Sequence, residues 1–338
     1  MRKLVASFFS VLKFLSLLGC ALVGAVMVYF TRPLSPGKSS AKGPPGAGFH
    51  LRSLLSGGLR RVYGLYVPRG LVRGKPVPLV ISLAGFGMNP AFQRYVSRWD
   101  EVADKHRFLV AYPQGSSFPL RFNAGPVYKI PGIDDVQMVR DLIAELDRYF
   151  KIDRQRVYVN GMSGGAHMAD RLACELAGEV AAAGMVAGSY LALPRVCTPQ
   201  RAMPVIAFQG TADPTGAYRG RRESSRLLLG IMKMAGLSPG EVVEVPAFED
   251  WAAAWARRNG CDLAAAQWEV DADVRRLRYP NRENNGDVEI YVIDGGGHAW
   301  PGGSPTWIGR TSDTIHASEL MWAFFESHPL SEVELPVS

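Results

Sequence analysis

Ser163 stands in Gly161-Met162-Ser163-Gly164-Gly165, directly after the apolar run Arg156-Val157-Tyr158-Val159-Asn160 and before the helical pattern His167 to Cys174. A strand that opens into G-x-S-x-G and then into a helix has the sequence form of a nucleophile elbow. The serine must sit on a strained turn so that its oxygen is exposed. The flanking glycines leave room for that turn, because a Cβ there would strike neighbouring elements. A serine hydroxyl is a poor nucleophile near neutral pH. It needs a base to take its proton and a third group to orient that base.

Of the six histidines, His298 is the best base. It lies in Asp294-Gly295-Gly296-Gly297-His298-Ala299-Trp300-Pro301-Gly302-Gly303, a glycine-freed loop after the last strand-like run. His50 falls at a linker edge, His106 ends a helix, and His167 lies inside the helix after the elbow. His316 and His328 belong to the terminal helix and its exit. The orienting acid should fall between Ser163 and His298, which is the chain order of hydrolases with this elbow. Asp213 fits, in the loop Gln209-Gly210-Thr211-Ala212-Asp213-Pro214 at the carboxyl end of the strand Pro204 to Phe208. Catalytic groups of open α/β sheets gather at those ends. The bland reading of Asp213 is an Asx-turn before Pro214. Asp250 starts a helix, Asp287 precedes a strand at the wrong end, and Asp294 is four residues from His298, where it shapes the loop. An oxyanion hole needs two backbone donors. The Gly164 amide is one; Leu83-Ala84-Gly85-Phe86-Gly87 should supply the other from Phe86, with Gly85 as the rival. Trp300 adjoins the His298 loop and is expected to touch substrate, whereas Phe86, Phe118 and Trp307 read as core.

These residues require strands to carry them. Strand-like runs cover 62–67, 79–83, 108–112, 156–160, 183–187, 205–208 and 288–293. Helical patterns cover 96–106, 134–150, 165–177, 249–258 and 313–326. The near-continuous apolar strands imply burial on both faces. Their alternation with helices predicts a doubly wound α/β fold, a mostly parallel sheet with helices on both faces.

The 338 residues are 47% hydrophobic and 20% charged, which supports a large core and excludes a disordered chain. The formal net charge is +7. No nucleic-acid module, metal-ligand spacing or cofactor motif accompanies it, so no nucleic-acid partner, metal or cofactor is expected. The densest basic stretch, Tyr218 to Arg222, reads as an exposed loop. Residues 1–31 form an apolar leader in which Arg2 and Lys3 precede an uncharged run, Phe14 to Phe30. A cleaved signal peptide and an uncleaved signal anchor both remain open. Either makes the body secreted or periplasmic, and the second ties it to a membrane. Residues 32–50, rich in Pro and Gly, read as a linker, and 51–338 as the catalytic domain. Export permits a disulfide among Cys174, Cys197 and Cys261. Spacing does not decide the pairing. We expect Cys174 with Cys197, which flank the helix after the elbow and the strand pair that follows, with Cys261 left as a thiol.

Jointly, the chain resembles the polyhydroxybutyrate-depolymerase and feruloyl-esterase-like family of secreted α/β-hydrolases from about Arg61 to Glu326. The resemblance rests on Pro78-Leu79-Val80 with Gly85, Tyr112-Pro113-Gln114-Gly115, Asp134-Asp135-Val136, the elbow with Arg171-Leu172-Ala173-Cys174, Gly210-Thr211-Ala212-Asp213-Pro214, Trp255 with Asn259-Gly260-Cys261, and Gly295 to Gly302. It implies an α/β-hydrolase fold and a Ser163, Asp213 and His298 triad, the same three residues reached from chemistry. The chain departs from the family at Ala84 and Gln209, where histidine is usual, and at Gly164, where asparagine is common. The usual partner of the Asn-Gly-Cys cysteine is absent from 279–287. The expected function is a serine esterase acting through an acyl-enzyme on polyhydroxyalkanoate or aromatic, feruloyl-type esters. Its partner is an ester substrate: a small molecule, a polyester or a cell-wall polysaccharide ester. A serine peptidase or thioesterase is the alternative on the same fold. A catalytically inactive, membrane-tethered binding protein is the alternative from another class.

Overall fold

Buried apolar runs build one ten-stranded sheet in the computed structural model, which describes residues 25–36, 43–125, 129–188, 197–214, 218–220, 246–281, 283–306 and 308–331. The strands are β1 (Gly48–Ser56), β2 (Leu59–Val67), β3 (Val77–Leu83), β4 (Leu109–Pro113), β5 (Ile152–Met162), β6 (Ala182–Val186), β7 (Val205–Gly210), β8 (Gln267–Asp271), β9 (Val274–Tyr279) and β10 (Val288–Ile293). Their spatial order is β1-β2-β4-β3-β5-β6-β7-β10-β9-β8. The six from β4 to β10 are parallel, and an antiparallel hairpin closes each edge. Parallel strands need long crossovers, and helices supply them. One core packs α3 (Asp135–Asp147), α4 (Gly164–Glu175) and α5 (Phe248–Asn259) on one face of the sheet. A second packs α1 (Pro90–Ser97), α2 (Trp99–His106) and α6 (Ala317–Glu326) on the other. β3, β6, β7 and β10, covered on both faces, are therefore buried along their whole length.

Several boundaries differ from the sequence reading. The helix expected from Val96 is two helices. Asn89 caps the first, its side chain accepting from the Ala91 and Phe92 amides at 3.0 and 3.2 Å. Arg98, at φ 53°, ends it and opens the second. The terminal helix begins at Ala317, after a loop. The first strand starts at Gly48, inside the segment read as linker, and Gly48 already pairs with Val67.

Residues 25–31 are helical. They continue into a strap that the body holds by its backbone. Asn89 Nδ2 donates to the carbonyls of Tyr29 at 2.7 Å and Arg32 at 3.0 Å, and the Asn89 amide donates to Phe30 at 2.8 Å. Gln114 Oε1 accepts from the Leu34 amide at 2.7 Å. The Phe30 ring meets Phe92 edge-on. Most of the leader, residues 1–24, and residues 37–42 of the proposed linker lie outside the described residues, as does Cys20. Among the described residues no helix is long and apolar enough to cross a membrane. Cys174 and Cys197 are disulfide-bonded with their Cα atoms 5.4 Å apart, and Cys261 is a buried thiol. Arg221 and Arg222 of the basic stretch also lie outside the described residues.

Candidate active site

The elbow is built by packing. β5 ends at Met162, α4 begins at Gly164, and Ser163 between them has φ 57° and ψ −120°. A non-glycine residue in that region is strained and is held there only by its surroundings. A Cβ on Gly161 would lie 2.3 Å from the Gly165 backbone, and one on Gly165 would lie 2.1 Å from the Leu83 carbonyl oxygen. The turn therefore seats against the end of β3 only because both positions lack side chains. The Ser163 amide donates to the Val186 carbonyl at 2.9 Å, which ties the elbow to β6.

The loop after β3 reaches over the elbow. A Cβ on Gly85 would lie 3.2 Å from the Ser163 Cβ, and one on Gly164 would lie 3.1 Å from the Phe86 nitrogen. Gly87 and Met88 donate their amides to Leu120 and Gly85. Among the described residues the Phe86 amide has no backbone acceptor. Gly164 stands in the first turn of α4, where amides have no intrahelical acceptor and the helix dipole favours negative charge. Phe86, whose amide is one of the two expected for an oxyanion hole, thus lies against Gly164, whose amide is the other.

Asp213 and His298 meet at the carboxyl ends of β7 and β10. His298 Nδ1 and Asp213 Oδ2 are 2.8 Å apart, and the aspartate side chain is fully buried. Two loops bring them together. The amides of Thr211 and Ala212 donate to the carbonyls of Ile293 and Gly296, each at 2.9 Å, and the Gly295 amide donates to the Thr211 hydroxyl at 2.8 Å. A Cβ on Gly210 would lie 2.2 Å from the Gly296 carbonyl oxygen, so the loops touch where neither has a side chain. A second clamp comes from beyond the histidine. The amides of Gly297 and His298 donate to Arg310 and Ile308. Arg310, Ser312 and Thr314 all hydrogen-bond the Asp273 carboxylate in the β8–β9 turn. The Thr314 hydroxyl, with Arg310 and Ser312, holds that carboxyl down at about 2.

The rival acids are engaged elsewhere. Asp294 is half exposed and paired with Arg275 at 3.2 Å. Asp287 lies at the opposite end of β10 with Arg278 and the Asn281 amide. Asp250 sits in the first turn of α5. His167, one helical turn after Ser163, is buried, and burial and then the neighbouring His298 push its pKa down to about 4, so it stays neutral. Trp300 is a correction: it is fully buried in the core below the loop, with its indole donating to the Ser318 hydroxyl at 3.0 Å, and presents no surface to a substrate. Being next in chain to a site loop does not put a large apolar ring in the cleft, because the ring gains more from burial. Phe118 is mostly exposed and Phe86 half-buried, so neither is core, and Trp307 lies outside the described residues.

Sequence reasoning missed two buried polar groups around the site. Gln209 Nε2 donates to Asp213 Oδ2 at 3.1 Å. Asp170, two turns along α4 from the elbow, accepts from the Trp255 indole at 3.0 Å, and burial raises its pKa to about 7. The pattern Trp251, Trp255, Asn259 at helical spacing was the available signal for a polar group facing α5.

Comparison with known proteins finds the chain similar to esterases. Residues 61–219 match the family model described as Esterase PHB depolymerase. Feruloyl esterase B of Piromyces equi is 28% identical over 245 residues, which cover 71% of this chain and 43% of that protein. The chain thus spans less than half of that relative. A Nocardia uniformis subsp. tsuyamanensis protein that carries an esterase name, NocK, is 29% identical over 285 residues, 79% of this chain and 80% of the other. The solved acetyl xylan esterase from Aspergillus awamori superposes with a TM-score of 0.58 at 13% identity, over 82% of this chain and 99% of that one. The fold is that of the α/β-hydrolases.

Proposed function

We propose, from the premise that residues 61–219 form a domain of the Esterase PHB depolymerase family, that the chain is a serine esterase working through Ser163, Asp213 and His298. Two observations carry this reading: the buried 2.8 Å contact of His298 with Asp213, and the strained positive-φ turn that holds Ser163 at the head of α4. In the proposed reaction Ser163 Oγ attacks the ester carbonyl and its proton passes to His298 Nε2. Asp213 fixes the imidazole by accepting from Nδ1 and stabilises the imidazolium as it forms. The amides of Gly164 and Phe86 take the oxyanion charge. The tetrahedral adduct collapses, His298 gives its proton to the departing alkoxide, and an acyl-Ser163 ester remains. A water then attacks that ester, loses a proton to His298, and releases the acid and free serine.

The substrate class we propose is a polyhydroxyalkanoate-type or aromatic, feruloyl-type ester. The family of the matched domain and the feruloyl esterase relative support it. We also propose that the body acts outside the cytoplasm, which the Cys174–Cys197 disulfide supports. Nitrophenyl esters of graded chain length, assayed beside methyl ferulate and hydroxybutyrate oligomers, test the substrate class. Fluorophosphonate labelling of the wild type and of Ser163→Ala tests the nucleophile. Label on the wild type alone is the expected result. A folded, unlabelled and inactive wild type would leave the binding-protein reading standing, and hydrolysis confined to peptides or thioesters would overturn the ester assignment.

A further inference from the structure

The Asp213 carboxylate oxygen that faces His298 has a second neighbour. Gln209, the penultimate residue of β7, is buried, and its Nε2 lies 3.1 Å from Asp213 Oδ2 and 3.3 Å from the Gly210 carbonyl. Its Oε1 is buried and accepts no hydrogen bond from the described residues. The amide orientation follows from chemistry: the flipped rotamer would set Oε1 against a carboxylate oxygen, an acceptor against an acceptor. One carboxylate oxygen therefore lies between two N–H donors, the imidazole and the glutamine amide.

We infer that Gln209 is a positioning residue that sets the basicity of the Asp213–His298 pair. The inference rests on the triad reading of those two residues. A hydrogen bond to the charged form of a carboxylate stabilises that form. A donor on Oδ2, the oxygen that also faces the histidine, does so, draws off charge that would otherwise act on His298 Nδ1–H, and fixes the rotamer that aims Oδ2 at the ring. Without that donor the carboxylate pulls harder on the imidazolium, and His298 holds its proton to a higher pH. Among the described residues, titratable and charged groups also lie on the elements around the two loops that carry the pair. His167 on α4 is buried and neutral. Asp294, at the start of the histidine loop, is paired with Arg275 of β9. Arg310 is engaged by Asp273 and by the carbonyls of Asp294 and Gly295. The charged ones among these are thus already matched with partners of their own, and Gln209 is the neutral donor placed on the catalytic side of the aspartate.

Gln209→Met removes the donor while keeping length and apolar volume. The acid limb of its kcat/KM profile should move to higher pH by about half a unit or more, with kcat on the plateau lowered several-fold. Fluorophosphonate should still label Ser163. A merely structural glutamine would lower activity equally at every pH, and a folded variant whose limb does not move overturns the inference while the triad stands. A second measurement needs no variant. In wild-type protein carrying nitrogen-15 glutamine, the side-chain amide of Gln209 should shift through the same pH midpoint as the acid limb. An amide resonance that ignores that midpoint also overturns the inference. A wild type that neither labels nor hydrolyses overturns the triad reading, and this one with it.

Discussion

Asp213 and Asp294 are both aspartates within reach of the His298 loop, and what surrounds them sets their expected roles apart. Asp213 is buried against the imidazole, whereas Asp294 is half exposed and spends its charge on Arg275. Asp213→Asn should keep the shape but favour the wrong tautomer, lowering kcat by about 10⁴-fold, the loss found in well-studied triads. Asp294→Asn should lower it less than about tenfold, since it removes an exposed ion pair. Steady-state kinetics on one nitrophenyl ester decides, and the reverse ranking would move the acid to the short glycine loop. Asp170 acts on stability. Burial holds its folded pKa near 7, above the ordinary 3.8. Between those values the folded state binds more protons than the unfolded state, so the stability this residue contributes is present below about pH 4 and is lost as pH rises through 7. Asp170→Asn keeps an acceptor for the Trp255 indole without the charge. It should stabilise the protein at pH 8, by roughly 4 kcal/mol, and by less than half as much at pH 5. Melting curves at the two pH values test this, and equal shifts at both would show that the carboxyl does not titrate there.

At the scale of elements, the elbow turn depends on two missing Cβ atoms. Gly165→Ala would set a methyl 2.1 Å from the Leu83 carbonyl oxygen, a backbone atom that cannot rotate away. Overpacking of this kind costs about 1–3 kcal/mol or more, and here it would push α4 off the end of β3. Hydrolysis should fall by orders of magnitude while circular dichroism at 25 °C still reports a folded sheet. Near-wild-type turnover would show that the turn is more yielding than its packing implies. How much of this was legible follows from the same packing. Strands buried on both faces, such as Val77–Leu83 and Val288–Ile293, announce themselves as apolar runs. The edge strands do not. Gln267–Asp271 exposes every residue, and Val274–Tyr279 carries three arginines spread over both faces, so neither shows the expected pattern. The break at Arg98 was hidden because an apolar stripe continues across it. Ser163, Asp213 and His298 could be singled out as candidates because a motif marks the first and loop chemistry the others. The Gln209 and Asp170 contacts were not legible. Each joins a residue to a partner that only the folded chain brings near, or that only a particular rotamer reaches.

At the scale of the whole molecule, the strap from Tyr29 to Leu34 belongs to the folded body. Asn89 is fully buried, and it caps α1 with its oxygen while its nitrogen holds the strap. A chain starting at Ser39 would leave that nitrogen without either acceptor, at a cost of about 1–3 kcal/mol. A chain starting at Ala25 keeps both. The shorter chain should melt several degrees lower, by scanning calorimetry, and equal melting temperatures would mean that the strap contributes nothing. The disulfide adds a second long-range tie. Cys174 and Cys197 lie 23 residues apart, and a link of that span is worth roughly 3 kcal/mol. Under non-denaturing reduction the protein should lose about that much stability, read from urea midpoints, and retain the His298–Asp213 contact and the proposed ester turnover. The disulfide was anticipated from where the two cysteines fall around α4, whereas the strap was not, because Pro and Gly in 32–50 hid the hydrogen bonds its backbone makes.

The interlocked loops after β7 and β10 have a consequence for how such a protein can be recombined. Gly210 sits where a side chain would strike Gly296, and Thr211, Ala212 and Gly295 bind across the same seam. The segments 210–213 and 294–298 therefore travel as one cassette, although 80 residues separate them. In a shuffled library made from this chain and a distant relative, active progeny should draw both segments from the same parent. The elbow, which docks on β3 and β6 instead, should cross between parents more freely.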